Sequence, residues 1–278
     1  MVERRGIGTI LTHLALILGV AVLCFPIYLA FVGSTLSHDE ILSVPMPLWP
    51  GGQMVENYSQ ALAAGTQVPV ARMLFNSMVM AIGIAAGKII ISILSAYAIV
   101  YFRFPFRMLA FWAIFMTLML PVEVRIVPTY EVAASLGMLN SYSGLILPLI
   151  ASATATFLYR QFFLTVPEEL AEAARVDGAG PVRFFKDILL PLSRTNTAAL
   201  FVILFIYGWN QYLWPLLVTT RPEMNTVVIG LQQMMPSADD YGNWPVTMAA
   251  AILAILPPVA VVVFMQRLFI KGLIESEK

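Results

Sequence analysis

The chain has 278 residues, 59% of them hydrophobic and 12% charged, and its 16 basic and 16 acidic residues leave no formal net charge. Soluble domains carry about 25% charged residues, so an ordinary soluble fold is excluded, and the balanced charge gives no electrostatic case for nucleic acid. The lone Cys24 excludes a disulfide framework and a cysteine-based metal cluster.

A membrane-crossing helix needs about 20 mostly apolar residues. Runs at 10–33, 74–102, 109–127, 142–163, 197–219 and 246–270 meet that requirement. The sequence therefore predicts an all-α integral membrane protein with six transmembrane helices, built as a single domain over 1–278. The first run follows Arg4 and Arg5 but is long, contains Pro26 and lacks a small-x-small cleavage site. It reads as an uncleaved span rather than a signal peptide. His13 and His38 lie far apart and read as spare polar residues near a membrane boundary.

The loop at 37–70 is the longest on its side, with Pro45, Pro47, Pro50, Gly51 and Gly52 as turn markers. In the second span Lys88 lies too deep to snorkel easily to an interface. Either it lines a path or subunit seam, or hydroxyls such as Ser92 or Ser95 satisfy its amine. Asn76, Ser77 and Thr117 are weaker polar candidates for a path. Glu123 and Arg125 follow Pro121 near the end of the third span. At i, i+2 they do not share a helix face. They suit either contact with cargo or a brace between subunits.

Between the fourth and fifth runs lies a charged insert at about 165–192. Thr165-x-x-Glu168 reads as a helix-start capping box with Pro167 in the first turn. Leu170, Ala173 and Ala174 share a face, and Asp177-Gly178 reads as a stop. A second helix restarts at Pro181 with Phe184, Phe185, Ile188 and Leu189 on its apolar face, and Pro191 ends it. Each helix is too short to be stable alone in water, so both must dock. The dock is either the chain's own bundle or a partner, to which Ala173, Ala174 and Gly178 allow close approach and Glu172, Arg175 and Arg183 offer charge. In the fifth span Trp209, Asn210, Gln211 and Tyr212 place polar groups and rings at membrane depth. The loop at 222–245, with Asp239 and Asp240, precedes the last span.

Lys and Arg collect on the cytoplasmic side of membrane proteins. In the six-span arrangement Arg72, Arg125 and Arg221 fall on one side, Lys88 lies within a span, and the other basic residues share the opposite side. Both termini and the charged insert are therefore expected in the cytoplasm.

No G-x-x-x-x-G-K-[ST] run occurs. Gly87-Lys88 is the nearest approach, but Ile82 and Ile89 occupy the other required positions. ATP is therefore expected to be hydrolysed elsewhere. There is no H-E-x-x-H motif and no convincing Ser/His/Asp set, so an intramembrane hydrolase lacks support. A self-sufficient secondary carrier is a competing class, but no acid lies deep in a span to couple protons.

Glu172-Ala173-Ala174, three residues, Gly178, nine residues, Ile188, one residue, Leu190-Pro191 resembles the EAA loop of ABC importer permeases. The resemblance implies the type I importer permease fold, with the insert as a coupling helix seated in an ATPase subunit. Glu172, Ala173, Ala174, Gly178, Ile188, Leu190 and Pro191 would then couple to that motor. GWNQYLWPL from Gly208 and the C-terminal Gln266-Arg267…Lys271-Gly272-Leu273 are similar to carbohydrate-importer permeases of maltose type. LPVEVRI (120–126), SATATF (152–157), YRQFF (159–163) and FIYGWNQY (205–212) resemble permeases of the sn-glycerol-3-phosphate importers.

The resemblance implies a non-enzymatic permease in the inner membrane, in contact with lipid, with no cofactor of its own. Its implied partners are a second, different permease, an ATP-binding subunit dimer holding ATP and Mg, and a periplasmic substrate-binding protein. The implied cargo is sn-glycerol-3-phosphate and related glycerophosphodiesters; a sugar or polyol is the alternative within the family. Arg125, Glu123, Lys88, Trp209, Asn210, Tyr212 and Asn76 are the path candidates. Arg125 stands first, because a guanidinium matches phosphate geometry.

Overall fold

A computed structural model describes residues 7–63, 68–117, 120–235 and 242–275, except for the side chains at 7, 122, 123 and 267–275. Among the described residues every regular element is helical. The first helices are α1 (Ile7–Gly33), α2 (His38–Ile41), α3 (Met54–Ala63), α4 (Val70–Tyr101), α5 (Arg107–Met116), α6 (Val122–Ser135), α7 (Tyr142–Ile146) and α8 (Ala153–Thr165). There follow α9 (Glu168–Val176), α10 (Pro181–Phe184), α11 (Leu190–Leu192), α12 (Arg194–Trp209), α13 (Leu213–Val218), α14 (Val227–Met234) and α15 (Trp244–Glu275). Two compact units form: Met1–Arg72 with Gly230–Leu256, and Met73–Ile229 with Pro257–Lys278.

In the first unit, α1 is exposed along the whole of 8–28. A helix that is apolar on every side and covered by nothing is stable in hydrocarbon, not in water. The segment after it is not a loose loop. The buried Asn57 amide donates to the Ser34 and Leu36 carbonyls, each at 2.9 Å. Thr35 accepts from Gly51 N–H at 2.8 Å through its hydroxyl and from Gln53 N–H at 3.0 Å through its carbonyl. Ser37 and Glu40 form a reciprocal capping box on α2. The Glu40 carboxylate accepts from both the backbone N–H and the hydroxyl of Ser37, which holds it below the usual carboxylate range, the larger effect coming from the backbone N–H. The expected turn markers thus sit within a folded cap. Asp239 and Asp240 lie outside the described residues.

Among the described residues three stretches, Gly8–Gly33, Val70–Tyr101 and Trp244–Gln266, are long and apolar enough to cross a membrane unbroken. The other expected spans are interrupted, and proline accounts for each interruption. Proline cannot donate to the helical ladder, and its ring clashes with the carbonyl of residue i−4. The third expected span stops with α5 and resumes after Pro121, the N-cap of α6. The fourth bends by 49° between α7 and α8, through a 3₁₀ turn at Leu147–Leu149 that holds Pro148. The fifth stops at Trp209 and restarts as α13, because Pro215 forbids a helical carbonyl at Gln211. The Gln211 side chain donates to the Tyr207 carbonyl at 3.1 Å, closing the last turn of α12.

The second unit packs around Met80, Ile84, Ala133, Leu145, Trp214 and Val218. Trp214 is buried, and its indole N–H donates to the Gly144 carbonyl at 3.0 Å. One side chain thus fixes α13 to α7.

Candidate functional site

The insert folds as the two expected short helices, with a different start. Pro167, not Thr165, is the N-cap of α9, and it supplies no side-chain acceptor. The Thr165 hydroxyl donates backwards to the Phe162 carbonyl at 2.7 Å, completing the end of α8. Pro167 fixes an extended backbone that keeps Thr165 away from the new helix. Glu168 and Glu169 in the first turn and Arg175 in the last complement the helix dipole instead. The stop is as expected: Gly178 has φ +73°, Gly178 N–H donates to the Arg175 carbonyl, and Ala179 N–H donates to the Ala174 carbonyl. This paired arrangement closes a helix end on a left-handed residue.

The second helix does not end at Pro191. It runs from Pro181 to Leu192 by opening into a π turn at Phe185–Leu189. Leu190 N–H bonds the Phe185 carbonyl five residues back. The wider turn relieves the clash that Pro191 would cause in an α-helix.

An aromatic clamp anchors this second helix. Phe184 packs on Tyr101 with ring centroids 5.2 Å apart, and Phe185 packs on Tyr97 at 5.0 Å. The Tyr97 hydroxyl donates to the Pro181 carbonyl at 2.9 Å. Tyr97 and Tyr101 were missed at the level of sequence, because tyrosines one turn apart at a span end read as interface residues. Ile188 is half-buried and Leu189 fully buried, while Arg183 pairs with Asp187 at 3.4 Å on the surface.

The first helix is anchored only in part. Ala174 is buried, but Glu172, Ala173, Arg175 and Gly178 are exposed, and Leu170 is 37% exposed. Leu190 is exposed and Pro191 half-buried. The insert therefore docks through its second helix on its own bundle and presents the apolar and charged face of α9 outward. Docking on the chain's own bundle thus accounts for the second helix, while most of α9 stays uncovered.

Within the apolar part, Asn76 is fully buried, and its amide N–H groups donate to the Glu223 carbonyl at 2.8 Å and the Asn225 carbonyl at 2.9 Å. Its oxygen accepts from the Tyr142 hydroxyl at 2.7 Å. Ser77 accepts from Val227 N–H at 2.9 Å. Both residues tie the 223–227 segment to α4. Asn76→Ala leaves buried groups unpaired at about 1–3 kcal/mol each. The purified protein should lose its folded state at a clearly lower temperature, read by size-exclusion after heating; an unchanged profile would contradict this bracing role.

Lys88 is 7% exposed, and its ammonium lies 3.7 Å from the centroid of the Tyr207 ring. The Ser92 hydroxyl instead donates to the Ser152 carbonyl at 3.1 Å. Tyr207 is thus the partner that the sequence did not single out, although it sits beside Gly208 and Trp209. Arg125 is exposed on α6, near enough for its charge to act on Lys88. Glu123 lies in the first turn of α6, and its side chain lies outside the described residues. Trp209 is 3% exposed and stacks on Phe205 at 5.8 Å, so it belongs to the packing of α12. Asn210 is exposed and Tyr212 half-buried at the break after it. Asn210, Tyr212 and Arg125 therefore remain exposed or half-buried, while the Lys88 ammonium lies buried on its ring.

Residues 88–275 match the family described as binding-protein-dependent transport system inner membrane component. Over the full length of both chains this chain is 62% identical to the sn-glycerol-3-phosphate transport system permease protein UgpE of Rhizobium meliloti. It is 58% identical, again over both full lengths, to the protein of that name from Yersinia enterocolitica. A chain in the crystal structure of a bacterial ABC transporter involved in the import of the acidic polysaccharide alginate superposes with TM-score 0.82 at 19% identity, covering 94% of this chain and 96% of that one. The all-helical ABC importer permease fold expected from the sequence is thereby borne out. The chain belongs to the binding-protein-dependent transport system inner membrane component family.

Proposed function

We propose that this chain is the smaller of two different permease subunits in an ATP-driven importer of sn-glycerol-3-phosphate, with related glycerophosphodiesters sharing the route. The observation that carries the substrate is 62% identity, over the whole of both chains, with a permease named for it. The chain acts as one permease domain in the inner membrane with both termini in the cytoplasm. An ATPase subunit, which holds ATP and Mg, seats on α9 and the Gly178 turn. A periplasmic binding protein delivers cargo to the 37–70 and 222–245 segments. Closure of the ATPase pair moves the coupling loops, and rigid-body rotation of the bundles alternates access.

What supports the coupling role is the division of the insert. The aromatic clamp fixes α10 to the end of α4, so a push on α9 is transmitted to a membrane-crossing helix instead of being lost in a flexible loop. Glu172 is exposed here and would be buried in the docked complex. Truncating one partner of a buried charged pair costs about 2–5 kcal/mol. Glu172→Ala should lower ATP-dependent uptake at least tenfold, about 1.4 kcal/mol, without changing ligand binding by the periplasmic protein. An effect confined to substrate preference would contradict the role.

The experiment reconstitutes both permeases and the ATPase in vesicles with the binding protein, and measures which ligand raises ATP hydrolysis and enters. sn-Glycerol-3-phosphate should do both. Stimulation by a sugar or polyol alone would reassign the cargo. Uptake by this chain alone, or uptake that an uncoupler abolishes while ATP stays high, would make it a secondary carrier.

A further inference from the structure

We propose that Lys88, Tyr207 and Arg125 form an anion way station that receives the phosphate of the cargo inside the membrane. This inference rests on the reading of the importer as a carrier of glycerol phosphate. Lys88 is nearly closed off from its surroundings at 7% exposure, in a helix that crosses the membrane. A charge in such a place needs a partner of opposite sign. Instead it faces the π-cloud of Tyr207 at 3.7 Å, and the nearby charge on Arg125 has the same sign. Neither cation pairs with a carboxylate among the described residues. A buried ammonium on an aromatic face, with a second positive charge acting on it and no carboxylate paired to either among the described residues, suits an anion.

The packing fixes this arrangement. Gly208 lies against the backbone of Ala81, so α12 approaches α4 closely just beside Tyr207. Lys88 follows Ala81 by two helical turns, which brings its side chain onto the ring. Tyr207 also packs with Ile126 and Tyr130 of α6 on one core cluster, which draws the helix bearing Arg125 alongside. A phosphate dianion fits this pair because it carries more than one charge and several acceptor oxygens. The aromatic face makes the site reversible. It holds the ammonium when the anion is absent, so release does not strand an unpartnered charge.

The test measures sn-glycerol-3-phosphate uptake by the reconstituted complex, with Lys88→Met, Lys88→Arg, Glu123→Gln and the Lys88→Met/Arg125→Gln double variant. Lys88→Met should slow uptake about tenfold, with the double variant slower still and Lys88→Arg restoring most of the rate. Methionine fills the same apolar space, so the assembled complex should still be isolated intact. Wild-type uptake in Lys88→Met, or equal loss in Lys88→Arg and Lys88→Met, would overturn the site. So would the same loss in Glu123→Gln, because the cations would then serve an internal ion pair. Phosphatidylcholine vesicles with and without phosphatidylglycerol separate cargo from lipid phosphate. A Lys88→Met effect seen only with phosphatidylglycerol assigns the site to a headgroup and overturns the proposal. A wild-type complex that carries no sn-glycerol-3-phosphate sinks the substrate reading itself, and the site with it.

Discussion

Gly178→Val should leave the protein inserted in the membrane and abolish its stable association with the ATPase. Gly178 sits at φ +73°. A residue with a side chain adopts that region at a cost of about 1–2 kcal/mol, and a β-branched one is worse placed still. A Cβ there would meet nothing within 4 Å of the chain itself. The variant therefore has no internal clash, and its penalty within the subunit is conformational. The turn can escape by leaving the left-handed region, which breaks the paired bonds from Gly178 and Ala179 and redirects α9 relative to the clamped α10. The open space around Gly178 is where a docked partner would lie, so valine also intrudes on that surface. Gly178→Ala separates the two effects, with the same backbone strain in kind but little intrusion, and should retain part of the association. Co-purification with the ATPase reads the outcome. Wild-type association and uptake in Gly178→Val would refute the docking role of the turn.

Gly208→Val should be the most damaging single change to the subunit itself. A Cβ at this position would sit 2.9 Å from the Cα of Ala81, closer than real Cβ contacts come, and the obstacle is backbone. No rotamer relieves it, so α12 and α4 must separate. Overpacking a tight core costs about 1–3 kcal/mol, and here the separation also disturbs the buried Trp209 and Phe205 stack beside it. Monodisperse protein should be lost on extraction or at a markedly lower temperature. Gly208→Ala, with one carbon at the same place, should show a smaller loss of the same kind. Retention of wild-type thermal behaviour in the valine variant would contradict the close crossing.

The two glycines differ in how far the sequence reveals them. Gly178 follows Asp177 at the end of a short amphipathic stretch, and local chain chemistry alone identifies a helix stop there. Gly208 sits in an apolar run, where a glycine has no local signature. Only the position of Ala81, 127 residues earlier, gives it meaning. The same division runs through the insert. The Gly178 stop and the restart at Pro181 depend on residues next to one another and could be read directly. The capping box at Thr165 was expected from spacing, but Pro167 holds that backbone extended and the hydroxyl turns back to Phe162. The clamp of Tyr97 and Tyr101 on Phe185 and Phe184 joins residues more than 80 positions apart, which no local pattern encodes.

Composition alone determined that this chain belongs in a membrane, because burying so many apolar residues with so few charges has no soluble solution. Hydropathy located the apolar runs, since transfer into hydrocarbon is a sum over neighbouring side chains. Whether each run stays one helix was decided in the folded chain. Pro121, Pro148 and Pro215 interrupt three of them, and the broken ends are held by contacts such as Trp214 on Gly144 and Gln211 on Tyr207. Tertiary structure also separated the polar candidates. Asn76 and Lys88 look alike in sequence as polar residues within one apolar helix. Asn76 meets two carbonyls and a hydroxyl and is neutral and satisfied, while Lys88 meets a ring, is acted on by the like charge of Arg125 and has no carboxylate paired to it among the described residues. A side chain's own chemistry fixes what it can bond, but only the fold fixes what it meets.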